Sequence, residues 1–309
     1  MDPIQYVHKS HSTTIKSCSR QLYYKSILNV DEAFENETAL AGIAMHMFGE
    51  EIYKSTKQDK WDDWKYWCEF FLRSFTKLKE DTLEKGLELN TVKDVKAEEY
   101  IEMIMAFLKQ PYNRNAIPIL IESPFRFFIR RGRKQYGFEG RIDQLLKIPV
   151  KDLPNDYFKD LAKKESREYV YIHRDLKAGD KKIMSKISLL TYDDINFYAY
   201  ALAFGKFDLN NDGVYEKEVH HIPFAHAIYW LRDHLAYKRN TENNQKGDPR
   251  GPGMYLIRKT YSDLKKMEDE LVNIWIKVNR GPYTRDGANS NLCQYCSVSK
   301  VCEYEWDNH

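Results

Sequence analysis

The sequence predicts an α/β fold, a single domain over residues 1–309 with a central mixed sheet and a helical insertion at about 56–118. Three observations lead there. Apolar residues recur at helical spacing through most of the first 110 residues. After Pro118 the period becomes extended, and strand-like and helix-like stretches then alternate to about residue 279. At 42% hydrophobic and 30% charged residues, a chain of this length can bury a substantial core and is not disordered in character.

The elements follow in order. Residues 13–28 read as a short helix (Thr13, Ile15, Leu22, Tyr23, Ile27) with Cys18 on its first turns. A second helix runs from about Asp31 to Ser55, its apolar stripe being Leu40, Ile43, Ala44, Met47 and Phe48. Residues 61–110 continue as helix, through Trp61, Trp64, Trp67, Phe70 and Phe71 and then Val92 to Leu108, stopping before Pro111. Two strands, Phe125 to Ile129 and Tyr136 to Ile148, flank Arg130-Arg131-Gly132-Arg133-Lys134, a basic hairpin turn. Residues 169–177 form a strand, 188–206 a helix and 219–232 a strand or pair. A Gly/Pro/Asn-rich loop at 240–253 precedes a strand at 254–260 and a last helix at 262–279.

Composition narrows the function. A net charge of +2 gives no basic field over the whole protein, so any nucleic-acid contact must be local. The first residues lack an apolar signal region and no apolar run is long enough to span a bilayer, so a cytoplasmic protein without membrane attachment is expected. Five cysteines in a reducing compartment argue for metal or cluster ligation over disulfides. Cys293-x-x-Cys296 and Cys302 gather three sulfurs in one terminal stretch, and Cys18 is the natural fourth. Spacing alone fits zinc, completed by His309 or another residue, as well as an iron–sulfur cluster. Cys68, among aromatic residues, reads as a buried apolar side chain.

Alternation along 169–177 places Tyr169, Tyr171, His173, Asp175 and Lys177 on one face, with the last two about 7 Å apart. A carboxylate and an ammonium so placed can hold a divalent cation beside a water or phosphate oxygen, although a solvated edge strand has the same pattern. Asp143 ends Gly140-Arg141-Ile142-Asp143 on the strand after the basic turn, facing with Glu139 and Arg141. If the two strands are neighbours, Asp143 and Asp175 converge on one cation, Mg²⁺ or Mn²⁺. His46 shares a helical stripe with Gly42 and Glu50 and can add an imidazole, with Gly42 allowing close approach to the sheet. Glu122 reads as a surface carboxylate that could act as an outer acid. Asp208-x-Asn210-x-Asp212-Gly213 imitates a calcium loop but has Val219 where the bidentate glutamate belongs, and reads as a turn. His220, His221 and His226 lack zinc-ligand spacing. Arg130, Arg131, Arg133 and Lys134, with Lys181, Lys182 and Lys186, are the candidate phosphate contacts.

The order Cys18, Gly42-x-x-x-His46, Gly140-Arg141-Ile142-Asp143, Asp175-x-Lys177, Tyr198 and Cys293-x-x-Cys296-x5-Cys302 resembles the PD-(D/E)xK superfamily over nearly the whole chain. More narrowly, it is similar to RecB-like iron–sulfur exonucleases: CRISPR-associated four-cysteine nucleases, the AddB nuclease domain and exonuclease V. The resemblance implies a restriction-endonuclease-like core whose chain ends are clasped by a 4Fe-4S cluster on Cys18, Cys293, Cys296 and Cys302. It implies a metal site of His46, Asp143 and Asp175 for Mg²⁺ or Mn²⁺, with Lys177 and Tyr198 joining the two acids in catalysis. Single-stranded or frayed DNA ends would be the substrate, with 5′ to 3′ cutting the common polarity among relatives. Partners in CRISPR spacer acquisition or recombinational end resection are implied as well, in a bacterial or phage-infected cell. Two departures stand out: Asp175 replaces the usual glutamate, and Asp194 occupies the glutamine position of Gln-x-x-x-Tyr.

Overall fold

The structure, a computed structural model, describes residues 6–30, 32, 34–54, 60–90, 95–178, 193–218, 222–231, 254–283, 293, 296–299 and 301–302. Lys181, Lys182, Lys186, Val219, His220, His221, His309 and the 240–253 loop lie outside them, as does the side chain of Asp194.

The short strand β1 (Tyr6–His8) leads into helix α1 (Lys9–Ser17). The single helix expected over 13–28 is interrupted at Cys18, whose extended backbone (φ −159°, ψ 104°) separates α1 from α2 (Ser19–Leu22) and the wide turn Tyr23–Ile27. β2 (Phe34–Asn36) takes the first residues of the expected second helix, leaving α3 (Glu37–Glu51). The long helix expected over 61–110 is α4 (Trp64–Glu84) and α5 (Ala97–Leu108), divided by β3 (Glu88–Asn90), which pairs in parallel with β2. Asp63 caps α4 by accepting the Tyr66 N–H at 3.0 Å. A short helix, α6 (Pro111–Arg114), starts at the proline that ends the preceding pattern.

The long hairpin of β4 (Ile117–Arg131) and β5 (Lys134–Pro149) follows. Gly132, at φ 57°, occupies the position in its tight turn where a side chain would be strained. β4 begins eight residues before the expected start at Phe125. Pro118 and Pro124 disguise the strand, yet both hold ladder positions, opposite Leu146 and Arg141. Helix α7 (Asp156–Lys164), which the periodicity did not reveal, connects to β6 (Tyr169–Lys177), whose bounds match expectation. After α8 (Asp193–Phe204) come β7 (Lys206–Phe207), β8 (Lys217–Glu218), β9 (Ala225–Trp230), β10 (Met254–Ile257) and α9 (Tyr261–Arg280). Asp208 accepts the N–H groups of Asp212 and Gly213 at 3.2 and 2.8 Å, closing the β7–β8 turn that mimics a calcium loop.

Among the described residues the sheet runs β10-β9-β6-β5-β4-β7-β8, with β1 alongside β5. It is mixed: β4, β5 and β6 are antiparallel, while β9 is parallel to β6 and β1 parallel to β5. The fold is therefore α/β with a mixed central sheet. Its two faces carry separate cores. Helices α3, α4 and α5 pack Phe48, Trp67, Phe71 and Phe107 against Ile148, Ile172 and Tyr229. Helices α8 and α9 pack Tyr200, Leu271 and Ile274 with Phe127 and Phe138 on the other side. The three tryptophans expected in the helical stretch divide: Trp67 and Trp61 are buried and Trp64 is 45% exposed.

The glycine that lets α3 approach the sheet is not Gly42, around which a Cβ would meet nothing within 4 Å. It is Gly49, where a Cβ would lie 2.6 Å from Leu176 Cδ1 and 3.3 Å from Gln144 Nε2. Gly49→Val is expected to destabilise the protein by about 1–3 kcal/mol through overpacking. Gly42→Ala is expected to raise stability by up to about 1 kcal/mol through helix propensity. Urea unfolding of both variants checks the pair.

Candidate metal centre

Helix α3 and the strands β4, β5 and β6 converge at one point. β5 and β6 pair Gln144 with Arg174, and one step further along the same register Asp143 stands opposite Asp175. On the other side of β5, the register pairs Ile121 with Gln144 and Ser123 with Ile142, which places Glu122 opposite Asp143. Glu122 adopts φ 43°, a left-handed conformation rare for a side-chain-bearing residue in a strand. Strict alternation is also broken in β5, because Ile142 and Leu145, three residues apart, enter the same core. Backbone distortion is thus concentrated where the acids meet.

His46 comes down from α3, its Nδ1 3.4 Å from Glu122 Oε1 and 3.5 Å from Asp143 Oδ2. Among the described residues, the donor atoms able to hold a metal that cluster within 4.8 Å of one another belong to His46, Glu122 and Asp143. Asp175 stands just outside that group. The expected His46–Asp143 pairing is present. Glu122, which the sequence places at the surface before the strand, lies within β4 with its side chain only 15% exposed, and it faces the site. Glu50, on the same stripe as His46, pairs instead with Lys54 at 3.7 Å.

Asp143 is buried and its Oδ2 accepts the Leu176 N–H at 2.9 Å, so the carboxylate bridges the two strands where their pairing ends. Asp175 is more deeply buried. Its Oδ1 accepts from Lys177 Nζ at 2.9 Å; its Oδ2 is equally close to that ammonium but has no hydrogen bond of suitable direction. Burial and then the Asp175 charge push the Asp143 carboxyl up to about 7. For Asp175 burial acts in the same upward direction, but the ammoniums of Lys177 and Lys9 outweigh it and hold the carboxyl below its ordinary range. Burial would lower His46; the Glu122 hydrogen bond and the Asp143 charge override it and raise the imidazole. Without a cation, the site therefore favours the protonated forms of Asp143 and His46 more than water does.

This has a pH signature. Unfolded, an aspartate titrates near 3.8, whereas folded Asp143 titrates near 7, so the native state binds the extra proton between. Its contribution to stability is full below about pH 4 and is lost as pH rises towards 7. Asp175 has the opposite sign: its contribution is present above its unfolded value and disappears only in stronger acid. A cation that replaces the proton removes the Asp143 loss. We expect Mn²⁺ to raise Tm relative to EDTA substantially at pH 7.5 and little at pH 5, as measured by calorimetry.

Behind the acids lies a group that was not foreseen. Arg174, on β6 between His173 and Asp175, is fully buried. It donates to Gln144 Oε1 at 2.7 Å, to Tyr53 Oη at 3.0 Å and to Asn113 Oδ1. The rings of Tyr229, Phe107 and Tyr53 surround its guanidinium at 5.0, 5.3 and 5.9 Å. Gln144 in turn donates to the Gly49 carbonyl at 2.9 Å. One buried cation thus ties β5, β6, α6 and α3 together next to Asp143 and Asp175, with neutral hydrogen-bond acceptors alone among the described residues.

Tyr198 is buried in the α8–α9 core, its ring 5.0 Å from that of His173. His173 and His226 are paired across β6 and β9 with Nδ1 atoms 3.3 Å apart, and burial lowers both below the ordinary imidazole range. Of the expected phosphate contacts, Arg130, Arg133 and Lys134 are exposed at the hairpin end, while Arg131 is held by Asp269 at 2.6 Å.

Cys68 is buried, as expected. Cys18, Cys293, Cys296 and Cys302 are free thiols, and among the described residues their sulfurs form no group as close as the His46 cluster. Cys18, Cys293 and Cys296 are nonetheless neighbours. Burial raises the Cys296 thiol, and the charges of Cys18 and Cys293 raise it further. Ser297 Oγ donates to Glu32 at 2.5 Å, Glu32 pairs with Lys25 at 2.8 Å, and Tyr283 stacks on Tyr23. The terminal cysteine segment therefore rests on the turn that follows Cys18. Among the described residues, no helix is long and apolar enough to cross a membrane.

No family model and no curated protein matches the chain. A solved structure described as "Crystal structure of SSO0001" is similar at 13% identity over 92% of this chain and 93% of that one, with a TM-score of 0.29, too low to carry an argument.

Proposed function

We propose that this chain is a metal-dependent deoxyribonuclease, an exonuclease acting on single-stranded or frayed DNA ends. The observation that carries the reading is the convergence of His46, Glu122 and Asp143 beside the Asp175–Lys177 pair. Carboxylate oxygens with one imidazole nitrogen suit a hard or borderline divalent cation, Mg²⁺ or Mn²⁺. The unsatisfied Asp175 Oδ2 offers a further oxygen donor. When bound, such a cation neutralises charge on a phosphodiester and acidifies a water. His46, Glu122, Asp143 and Asp175 would hold it. The ammonium of Lys177, oriented by Asp175, is placed to donate a hydrogen bond to the attacking water or to a phosphate oxygen as charge develops. The buried carboxylates also exclude bulk water from the inner side of the site.

The test is degradation of end-labelled single-stranded DNA with Mn²⁺ by protein purified without oxygen, comparing wild type with Asp175→Ala. Cleavage lost in the variant supports the reading, and the label reports polarity. No cleavage by the wild-type chain would shift the reading to a DNA-processing subunit active only with partners, as in CRISPR adaptation or recombinational end resection.

The cysteines support a second element of the proposal, a 4Fe-4S cluster on Cys18, Cys293, Cys296 and Cys302 that fastens the terminal segment to the turn after Cys18. Four soft donors, three of them in a terminal segment that rests on the turn after Cys18, would suit such a group. A structural metal contributes folding free energy. Cys296→Ala is therefore expected to lose the visible absorbance of the cluster and most of the thermal stability together. A folded, colourless variant of unchanged Tm would remove the clasp from the account.

A further inference from the structure

The β4–β5 hairpin has one buried and one open side. Phe125, Phe127, Ile129, Phe138 and Ile142 enter the α8–α9 core. The alternate residues of β4 (Arg126, Phe128 and Arg130) belong to neither core, and Phe128 is 43% exposed. β7 pairs with β4 only at Phe125 and Arg126, so beyond Arg126 that edge of β4 has no strand beside it among the described residues. A cleft of about 690 Å³ opens along this edge.

Its wall is a row of planar groups. The Phe128 ring lies 5.5 Å from that of Tyr6, Tyr6 lies 4.6 Å from the Arg126 guanidinium, and Tyr215 covers the other side of Arg126 at 4.3 Å. Glu139 holds Arg126 in place at 2.8 Å. Among the residues lining the cleft, Arg126, Arg130, Lys206 and Lys265 outnumber one acid, Glu268. Lys265 is paired with Glu268 at 2.8 Å, Arg126 with Glu139, and Lys206 stands opposite Glu218 in the β7–β8 ladder, so Arg130 contributes most of the excess. A groove of net positive charge with exposed aromatic faces matches the requirements of a single nucleic-acid strand. Bases stack on the rings without regard to sequence, and cations meet the phosphates. A peptide strand adding to a free edge would need the backbone but would gain nothing from the cationic excess.

We propose that this cleft binds single-stranded nucleic acid, with bases packed on Phe128, Tyr6 and Tyr215 and phosphates at Arg130 and Lys206. The inference rests on the nuclease reading only where it leads the bound strand on to the acid cluster. Glu122 lies four residues from Arg126 along β4, about 13 Å, so a strand held in the cleft can reach the acid cluster.

Fluorescence anisotropy of a labelled oligothymidylate of about 15 nucleotides, in EDTA so that nothing is cut, tests it. Wild type, Phe128→Ala, Arg130→Glu and Asp175→Ala are compared. Phe128→Ala should weaken binding roughly 5- to 100-fold, the range expected for one lost stacking partner. Arg130→Glu should weaken it and reduce the salt dependence by about one charge or more. Both residues are exposed, so both variants should remain folded. Unchanged affinity in the two variants, or no binding by wild type, overturns the proposal; the latter leaves the edge to a peptide partner. The two readings fail separately. Mn²⁺-dependent cleavage lost in Asp175→Ala, with binding indifferent to Phe128, keeps the nuclease and removes the cleft. Binding sensitive to Phe128 without any cleavage keeps the cleft and removes the nuclease.

Discussion

Lys177→Ala is expected to reduce DNA cleavage by about a hundredfold to a thousandfold or more, the usual effect of removing one charge-stabilising donor from a reacting centre. Mn²⁺ binding should persist. The ammonium 2.9 Å from Asp175 competes with a cation for that carboxylate, so its loss leaves metal affinity equal or tighter. DNA binding in EDTA should also be unchanged. This separation distinguishes a chemical role from a structural one: isothermal titration with Mn²⁺ and a cleavage assay on the same preparation give opposite answers for the same variant. Retained cleavage would remove Lys177 from the reaction.

Arg174→Ala should have the largest effect on stability, a loss of about 3–5 kcal/mol in urea unfolding. Removing the side chain leaves a cavity and strands the buried oxygens of Gln144 and Asn113. The effect should extend to the metal centre, because Gln144 and Arg174 adjoin Asp143 and Asp175 and link them to the helix bearing His46. Arg174→Lys is the discriminating variant. Lysine carries its three donors on one nitrogen and cannot span the acceptors that Nε, Nη1 and Nη2 of the guanidinium reach separately. It should remain folded by circular dichroism yet bind Mn²⁺ more weakly than wild type. Wild-type affinity in a folded Arg174→Lys protein would confine Arg174 to structural support.

Much of the site could be read from the chain because its parts obey local rules. Along β6 the apolar Val170, Ile172 and Leu176 alternate with Tyr169, Tyr171, His173, Asp175 and Lys177 in sequence, so its bounds and the shared face of Asp175 and Lys177 follow from side-chain period. The strand is nonetheless buried continuously from Ile172 to Leu176. His46 follows from a helical stripe, and Asp143 from its place on the neighbouring strand. The failures have equally local causes. Glu122 was read as a surface acid because two prolines and a bulge between Pro118 and Leu120 hide the start of β4; its left-handed backbone has no signature in sequence. Gly42 and Gly49 are indistinguishable by composition, and only the tertiary approach of Leu176 selects Gly49. Arg174 lies in a strand whose bounds the sequence marks well, yet nothing in the chain marks it as buried, since arginine is seldom buried without a carboxylate. What the sequence lacked was the aromatic box, whose rings come from residues 53, 107 and 229. Helix boundaries over 61–110 failed for a simpler reason, that a three-residue strand carries too little period to interrupt a helical pattern.

The two acids on the β4–β5 hairpin have a consequence for the order in which the centre is assembled. Glu122 and Asp143 are 21 residues apart and are brought together by one tight turn, an event of microseconds for an isolated hairpin. His46 is separated from Glu122 by 76 residues, and the parallel pairing of β6 with β9, which brings Ala225 beside Ile172 from 53 residues away, also closes a long path. During folding, carboxylates therefore meet before the imidazole and the ammonium arrive to balance them. Mutual repulsion within the early hairpin would be relieved by protons or by a cation captured from solution. If the proposed cation binds there, divalent ions are expected to accelerate refolding as well as to stabilise its product, making the proposed ligand a participant in the protein's formation.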